Sequence, residues 1–321
     1  MKKEVKIALQ KLGYTKIISI KELSGGSVHY IYKIHDLSHG HAIVKWRGPK
    51  TKHSLGMIIL QNEISYEIAG LTFFASQNEV SIPKPYIADV ASGILVMSSI
   101  VDNGVDLKMW IDKNGMIAID LVFEILNSIE KLLIFSKSNM ASSTIGKKND
   151  RFDNLFTTRF KFQDVFVVEE LKEKLLMDLE HRCFILGGLS FKNIIYNGNK
   201  YGFCDLETFC YGHPAFDIGY YLGHVLLHLI AENKDYNSFF NRVAFFLSHS
   251  KLITLSHERD LVEIIILTIL YRLDHPSVLY EFKGKRTMKK LRSKLNSLLS
   301  VGHLPDFNSL KNSLSQKAVF C

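Results

Sequence analysis

The sequence predicts an α+β fold in which a small β-rich region comes first and a larger helical region follows. Three observations carry this reading. Apolar and polar residues alternate with a period of two in segments between residues 17 and 46. From residue 106 onward most apolar residues recur at helical spacing. Short apolar strands near 184–186, 193–196 and 201–204 interrupt those helices. The change of character lies near Met97 to Val101, dividing the chain into residues 1–98 and 99–321. At 321 residues the chain is long enough for two cores.

Ile17 to Leu23 reads as the first strand, and Ser24-Gly25-Gly26-Ser27 as a turn. Val28 to His35 alternates Tyr30, Tyr32 and Ile34 with polar partners, as a half-buried strand does. After the turn at Ser38 to His41, Ala42 to Trp46 is the third strand. A helix is expected from about Ile58 to Ser76, with Ile64, Ile68, Leu71 and Phe74 on its apolar face. Two prolines make Ile82 to Pro85 an extended linker. Ile94 to Met97 is a short apolar strand. Helices are then expected over 106–111, 116–135 and, with interruptions, 154–179, and, past the short strands, over 217–233, 237–248, 257–273 and 286–299. Ser136 to Asp150 is polar and reads as a loop.

Composition narrows the function classes. Apolar residues make up 47% of the chain and charged residues 22%, as in an ordinary globular protein. The net charge of +8 reads first as a solvated basic surface, and second as affinity for an anionic partner such as a nucleotide. No Lys/Arg run is long enough for a nucleic-acid arm, so no nucleic-acid partner is expected. No stretch of about 18 uncharged apolar residues occurs, and no membrane contact is expected. Gln10 and Lys11 break the N-terminal apolar run, so no signal peptide is expected. Cys183, Cys204, Cys210 and Cys321 form no metal-ligand pattern, which points to a reducing, cytoplasmic setting.

Several residues have chemical potential. Lys45 lies inside an apolar strand, where an ammonium is costly without an anion. Its partner is Glu67 on the following helix, or a phosphate. Otherwise Lys45 lies on an edge strand and reaches solvent. The Gly25-Gly26 turn is either a plain hairpin or a place where backbone N–H groups approach phosphates. Asn193 and Asp205, twelve positions apart and each beside a short strand, are hard oxygen donors of the kind magnesium prefers. The bland alternative is an Asn in a turn and an Asp capping a helix. Glu207 is two residues further on. Asp217 reads as a helix cap supporting the 186–193 loop. His224 and His228, lacking a third ligand, read as buried packing histidines.

Taken in order, these segments resemble the aminoglycoside phosphotransferase and choline kinase superfamily, the small-molecule branch of the bilobal protein-kinase-like fold. Leu186-Gly-Gly-Leu-Ser-Phe-Lys-Asn193 is similar to that family's His-Gly-Asp-x-x-x-x-Asn loop. Asp205-Leu-Glu207 resembles its metal-binding motif, and Tyr211-Gly-His-Pro-Ala-Phe-Asp217 the segment that follows. The resemblance implies ATP or GTP as phosphate donor and Mg2+ as cofactor, with transfer to a hydroxyl of an unknown small-molecule acceptor. It implies that Lys45, fixed by Glu67, holds the nucleotide phosphates, with Ser24, Gly25, Gly26 and Ser27 over them. Met97 and Ser99 would grip the base, and Asn193 and Asp205 would hold the metal. Residues 1–98 would be the nucleotide-binding lobe and 99–321 the helical lobe.

Two departures are serious. The family's His is Leu186 here, and its catalytic Asp is Gly188. Loss of a general base removes roughly 10²–10⁴ of rate. Two functions are therefore expected: an impaired phosphotransferase, with Glu207 as a substitute base, or a pseudokinase that binds a nucleotide or a protein partner. For the first, Gly188→Asp is the natural repair.

Overall fold

In a computed structural model, residues 2–23, 29–48, 64–115, 117–142, 147, 150–161, 163–232, 234–274, 285–300 and 305–315 are described. The chain forms two compact units. One comprises Met1–Gly115 with Phe191–Phe209, the other Met116–Ser190 with Cys210–Cys321.

The first unit opens with a helix the periodicity did not reveal, α1 (Lys3–Lys11), which buries Val5, Ala8 and Leu9. Strands β1 (Ile17–Glu22), β2 (Tyr30–Asp36) and β3 (Gly40–Trp46) follow as expected. Helix α2 (Ile64–Phe74) lies within the expected helical span, and residues 58–63 lie outside the described residues. Strands β4 (Pro85–Asp89) and β5 (Ile94–Met97) complete an antiparallel sheet of order β1-β2-β3-β5-β4. Tyr32, Ile34, Ala42, Val44, Trp46, Ile94 and Val96 form its core with the buried side of α1. β3 is thus flanked by β2 and β5, and Lys45 is 2% exposed, which overturns the edge-strand reading. Strand β6 (Val105–Asp106) runs into α3 (Leu107–Asn114), where the Asp106 side chain caps Met109 N–H at 2.8 Å.

In the second unit, α4 (Ile119–Asn139) runs past the point where the polar composition predicts a loop. Its buried Ile125, Leu126, Ile129, Leu132 and Leu133 keep the apolar face intact to that end. The interrupted helical pattern expected over 154–179 resolves into two helices, α5 (Asp150–Phe160) and α6 (Val165–Met177), with Asp164 capping the second. Strand β7 (Cys183–Ile185) follows. Back in the first unit, β8 (Ile194–Tyr196) and β9 (Tyr201–Phe203) form a hairpin that pairs with β6. Strand β10 (Cys210–Gly212) returns to pair with β7.

Helix α7 (Pro214–Ala231) is buried along almost its whole length and lies against α9 (Glu258–Asp274). Two glycines set how closely they approach. A methyl at Gly219 would lie 2.7 Å from Ile264 Cγ2, and one at Gly223 would lie 2.7 Å from Thr268 Cβ. Helices α8 (Asn237–His249), α10 (Lys285–Ser300) and α11 (Phe307–Ser315) complete the unit. Among the described residues no helix is long and apolar enough to cross a membrane.

The N-terminus of α7 is held by a carboxylate clamp. His213 is its N-cap, and Nδ1 accepts the Ala215 N–H at 3.2 Å. His257 Nδ1 likewise accepts the Thr254 N–H at 3.3 Å. In neutral rings both protons are therefore on Nε2. Those groups donate to Asp178 Oδ2 at 3.2 and 3.1 Å, and His181 Nδ1 lies 2.8 Å from Oδ1. Asp178, His181, His213 and His257 are metal-ligand types within reach of one another. The tautomers argue against a metal. An ion would need the Nε2 lone pairs where the protons are, and a metal-bound imidazole donates from its other nitrogen rather than accepting there. The group is a hydrogen-bonded clamp that joins α6, α7 and α9.

Two consequences can be measured. Gly223→Ala is expected to lower stability by about 1–3 kcal/mol in a urea titration, because the helix contact has no space for the methyl; an unchanged midpoint would contradict this packing. The second concerns pH. Burial outweighs Asp178 and pulls the His213 pKa from 6.5 down to about 4. Between those values the unfolded chain binds more protons, so the stability present above pH 6.5 is lost as pH falls towards 4. The loss is roughly 3 kcal/mol at most. Asp178, held low by its three histidines against the opposing effect of burial, adds a loss of the same sign at more acid pH. His213→Asn keeps a capping oxygen, so it should flatten the stability profile between pH 6.5 and 4; an unaltered slope would assign that acid loss elsewhere.

Candidate active site

The candidate site of the first unit is built around Lys45. Position 45 pairs with Ile31 on β2 and Leu95 on β5, so its backbone is fixed on both sides. The ammonium lies 2.9 and 2.8 Å from the two Glu67 oxygens, and Glu67 is itself fully buried on α2. It also pairs with the Asp205 carboxylate and lies 3.8 Å from Glu207 Oε2. Burial alone would push the Lys45 pKa down, but Asp205, Glu67 and Glu207 outweigh it and hold Lys45 charged. Burial pushes Glu67 up, to about 7, against the pull of Lys45, with Asp205 and Glu207 adding repulsion. Three carboxylates thus compete for one ammonium.

Asp205 reaches the site from the turn after β9. Its backbone is left-handed, with φ of 64°, a conformation that carries a cost for a side-chain-bearing residue but that aspartate tolerates better than most. Asn193 ends a 3-10 turn over Phe191–Asn193, and its carbonyl accepts the Cys204 N–H at 2.9 Å. The β8–β9 hairpin therefore sets the Asn193 backbone against that of Cys204, the residue before Asp205. Glu207 is held by two further groups that the sequence reading missed: Arg47 Nη2 at 2.6 Å and His29 Nε2 at 2.7 Å. Lys45, His29 and Arg47 keep Glu207 ionised well below the usual carboxylate range, although burial acts the other way. Arg47 was findable, because two residues past Lys45 puts it on the same side of β3. His29 had no such signal. Burial also pushes up the thiols of Cys183, to about 12, and of Cys204 and Cys210, which disfavours thiolate chemistry at neutral pH.

Met97 is buried at the end of β5, where it pairs with Ile43 and Pro85. Ser98, just past the end of β5, is tied to Lys84 by two hydrogen bonds of 2.9 Å, and half-buried Ser99 follows it. Ser24, Gly25, Gly26 and Ser27 lie outside the described residues.

In the second unit, residues 186–188 form a loop whose amides converge on Asp217. The Leu186, Gly187 and Gly188 N–H groups reach that carboxylate at 2.6, 3.0 and 2.8 Å. Burial pushes the Asp217 pKa up to about 6, against the pull of these three donors. Asp217 is therefore not the cap of α7, a role taken by His213, but it does support the loop. The backbone φ is 89° at Gly187 and 99° at Gly188, where side-chain-bearing residues are strained. A Cβ at 188 would lie 3.3 Å from the Tyr220 ring and 3.4 Å from Phe216. An aspartate at 188 therefore meets backbone strain and a crowded neighbourhood, which the sequence alone did not show. His224 and His228 are both buried in α7, as expected.

The sequence matches no protein-family model and no curated protein. Its fold is that of solved kinases at low identity. An amicoumacin kinase, hAmiN, in complex with AMP-PNP, Ca2+ and Ami, is 15% identical with a TM-score of 0.57, over 97% of this chain and 100% of that one. A choline/ethanolamine kinase family protein from Mesorhizobium loti is 12% identical with a TM-score of 0.53, over 97% and 99%. The aminoglycoside phosphotransferase APH(4)-Ia is 11% identical with a TM-score of 0.50, over 94% and 99%. The chain has the α+β protein-kinase-like fold that these small-molecule kinases share.

Proposed function

We propose that the chain is a small-molecule phosphotransferase that binds Mg-ATP or Mg-GTP, acts on the hydroxyl of an acceptor, and is impaired at its base position. The observation that carries this reading is Lys45, a buried ammonium held between Glu67 and Asp205. In such a site Lys45 exchanges Asp205 for phosphate oxygens while Glu67 keeps it aimed. Residues 1–98 are the nucleotide lobe in this reading. Met97 and Ser99 meet the base, and the Ser24–Ser27 turn covers the phosphates.

The donors fit a magnesium ion. Glu67, Asp205 and Glu207 face two permanent cations, Lys45 and Arg47, and Asp205 remains about a third exposed. Asp205 and Asn193 would hold the metal, which supplies charge neutralisation on the transferring phosphate. Glu207 is tightly paired and weakly basic, so it serves better to orient Lys45 and Arg47 than as the substitute base considered from sequence. Phosphoryl transfer depends chiefly on positioning and electrostatics, so slow turnover without a base at 188 is chemically reasonable. The second reading is a pseudokinase that signals nucleotide occupancy to a protein partner, and Gly188 with its φ of 99° favours it. A cytoplasmic location fits either.

Calorimetric titration of the full chain with ATP and GTP, with and without magnesium, tests the nucleotide site. Binding should require magnesium, and Lys45→Ala and Asp205→Ala should each weaken it at least tenfold. No binding at millimolar nucleotide would defeat both readings. Turnover that Asp205→Ala abolishes would exclude the pseudokinase. Gly188→Asp should lower stability by about 1–2 kcal/mol through its positive φ, so it is not a clean repair; a stable Gly188→Asp protein would show that the loop readily changes conformation.

A further inference from the structure

Beside Gly188 the second unit buries a positive charge. Arg272, on α9, is 8% exposed. Its guanidinium donates to Tyr220 Oη at 3.1 Å and to His224 Nε2 at 3.3 Å. Both partners are neutral acceptors, and among the described residues no carboxylate pairs with Arg272. A second cation, Arg159, has its guanidinium carbon 5.6 Å from the centre of the Tyr220 ring. Burial, followed by Arg272 and Arg159, holds His224 well below its usual pKa and therefore uncharged. The same two cations lower Tyr220 against the opposing effect of burial. Tyr220 links this cluster to the loop, because its ring edge would touch a Cβ at position 188.

A guanidinium taken from water without an anion is costly, and neutral partners return only part of the loss. Such a charge is retained where a ligand completes it. We infer that Arg272, with Tyr220 and His224, forms an anion subsite for the acceptor, which therefore carries a carboxylate or phosphate group. Placing the acceptor here rests on the phosphotransferase reading; the anion subsite itself does not. A polycationic acceptor is disfavoured by the same charges. Arg272 binds and orients the anion, and His224 accepts the Arg272 Nε–H so that the fork stays aimed.

The test uses the full chain, with inorganic phosphate and acetate as probes and potassium chloride at matched ionic strength as control. Thermal unfolding of the wild type should rise by several degrees with phosphate, with acetate or with both. Arg272→Met, similar in length and uncharged, should abolish that rise. In the absence of anion it should also unfold about 2–4 °C above the wild type, since an uncompensated charge is gone. Mg-AMP-PNP stabilisation should survive Arg272→Met and be lost in Lys45→Ala. Loss of the Mg-AMP-PNP response alone would sink the phosphotransferase reading and leave the anion subsite standing. The inference is overturned if Arg272→Met responds to the anions as the wild type does, or if the wild type responds to neither. It is also overturned if Arg272→Met is less stable than the wild type without anion, which would make Arg272 a structural partner. Should Arg272→Met fail to fold, Tyr220→Phe decides: it should reduce the anion response at least severalfold, and an undiminished response would refute the subsite.

Discussion

The first unit depends on one electrostatic constraint: an ammonium fixed in the middle of a sheet. Lys45 lies on β3, with hydrogen-bonded neighbours on both sides and almost no exposure. Its side chain is almost wholly buried, so anions must come to it, and two segments supply them. Helix α2 brings Glu67, the turn after β9 brings Asp205, and the next residues bring Glu207. Those contacts explain why residues 191–209 belong with the first 115 in one compact unit. They also explain the left-handed backbone of Asp205, which costs free energy that the ion pair offsets. Gly70 on α2 serves the same docking, since a Cβ there would lie 2.8 Å from the Phe209 ring.

The second unit answers a different constraint, a run of backbone amides in need of acceptors. The left-handed glycines at 187 and 188 turn consecutive N–H groups inward, and buried Asp217 takes them. That carboxylate works only if α7 starts at the right place. The start is fixed by His213 and, behind it, by Asp178. A chain of hydrogen bonds thus runs from the end of α6 to the loop at 186–188. The loop is shaped by acceptors outside it, and the shape it has suits glycine at 188.

Much of this was legible in the sequence, for identifiable reasons. The strands of the first unit announced themselves through period-two alternation, and a lysine within that pattern marked the site. The spacing of Gly188, Asn193 and Asp205 gave the loop order. What stayed hidden depends on tertiary structure. Helix α1 is short, with only three buried residues, and its polar composition concealed it. The pattern over 154–179 showed interruptions but not their place, which is set by Asp164 capping α6. The Asp178 clamp gathers residues 79 positions apart, and no local pattern encodes that. Nor could the sequence show that position 188 is left-handed, because glycine is compatible with almost any backbone angle.

The balance between a degraded enzyme and a bare scaffold turns on what burial costs. Replacing a buried ion pair by apolar residues of similar size is often neutral or stabilising. A chain that needed only the fold would lose little by exchanging Lys45 and Glu67 for aliphatic residues, or Arg272 for a methionine. Yet the lysine, three carboxylates, an arginine and a histidine all remain around one point of the first unit. In the phosphotransferase reading proposed above, the group absent at position 188 is the one whose loss would slow transfer without preventing nucleotide binding. In that reading, the charges that survive are those that would hold phosphates and a metal, and holding them is most of what phosphoryl transfer asks of a protein.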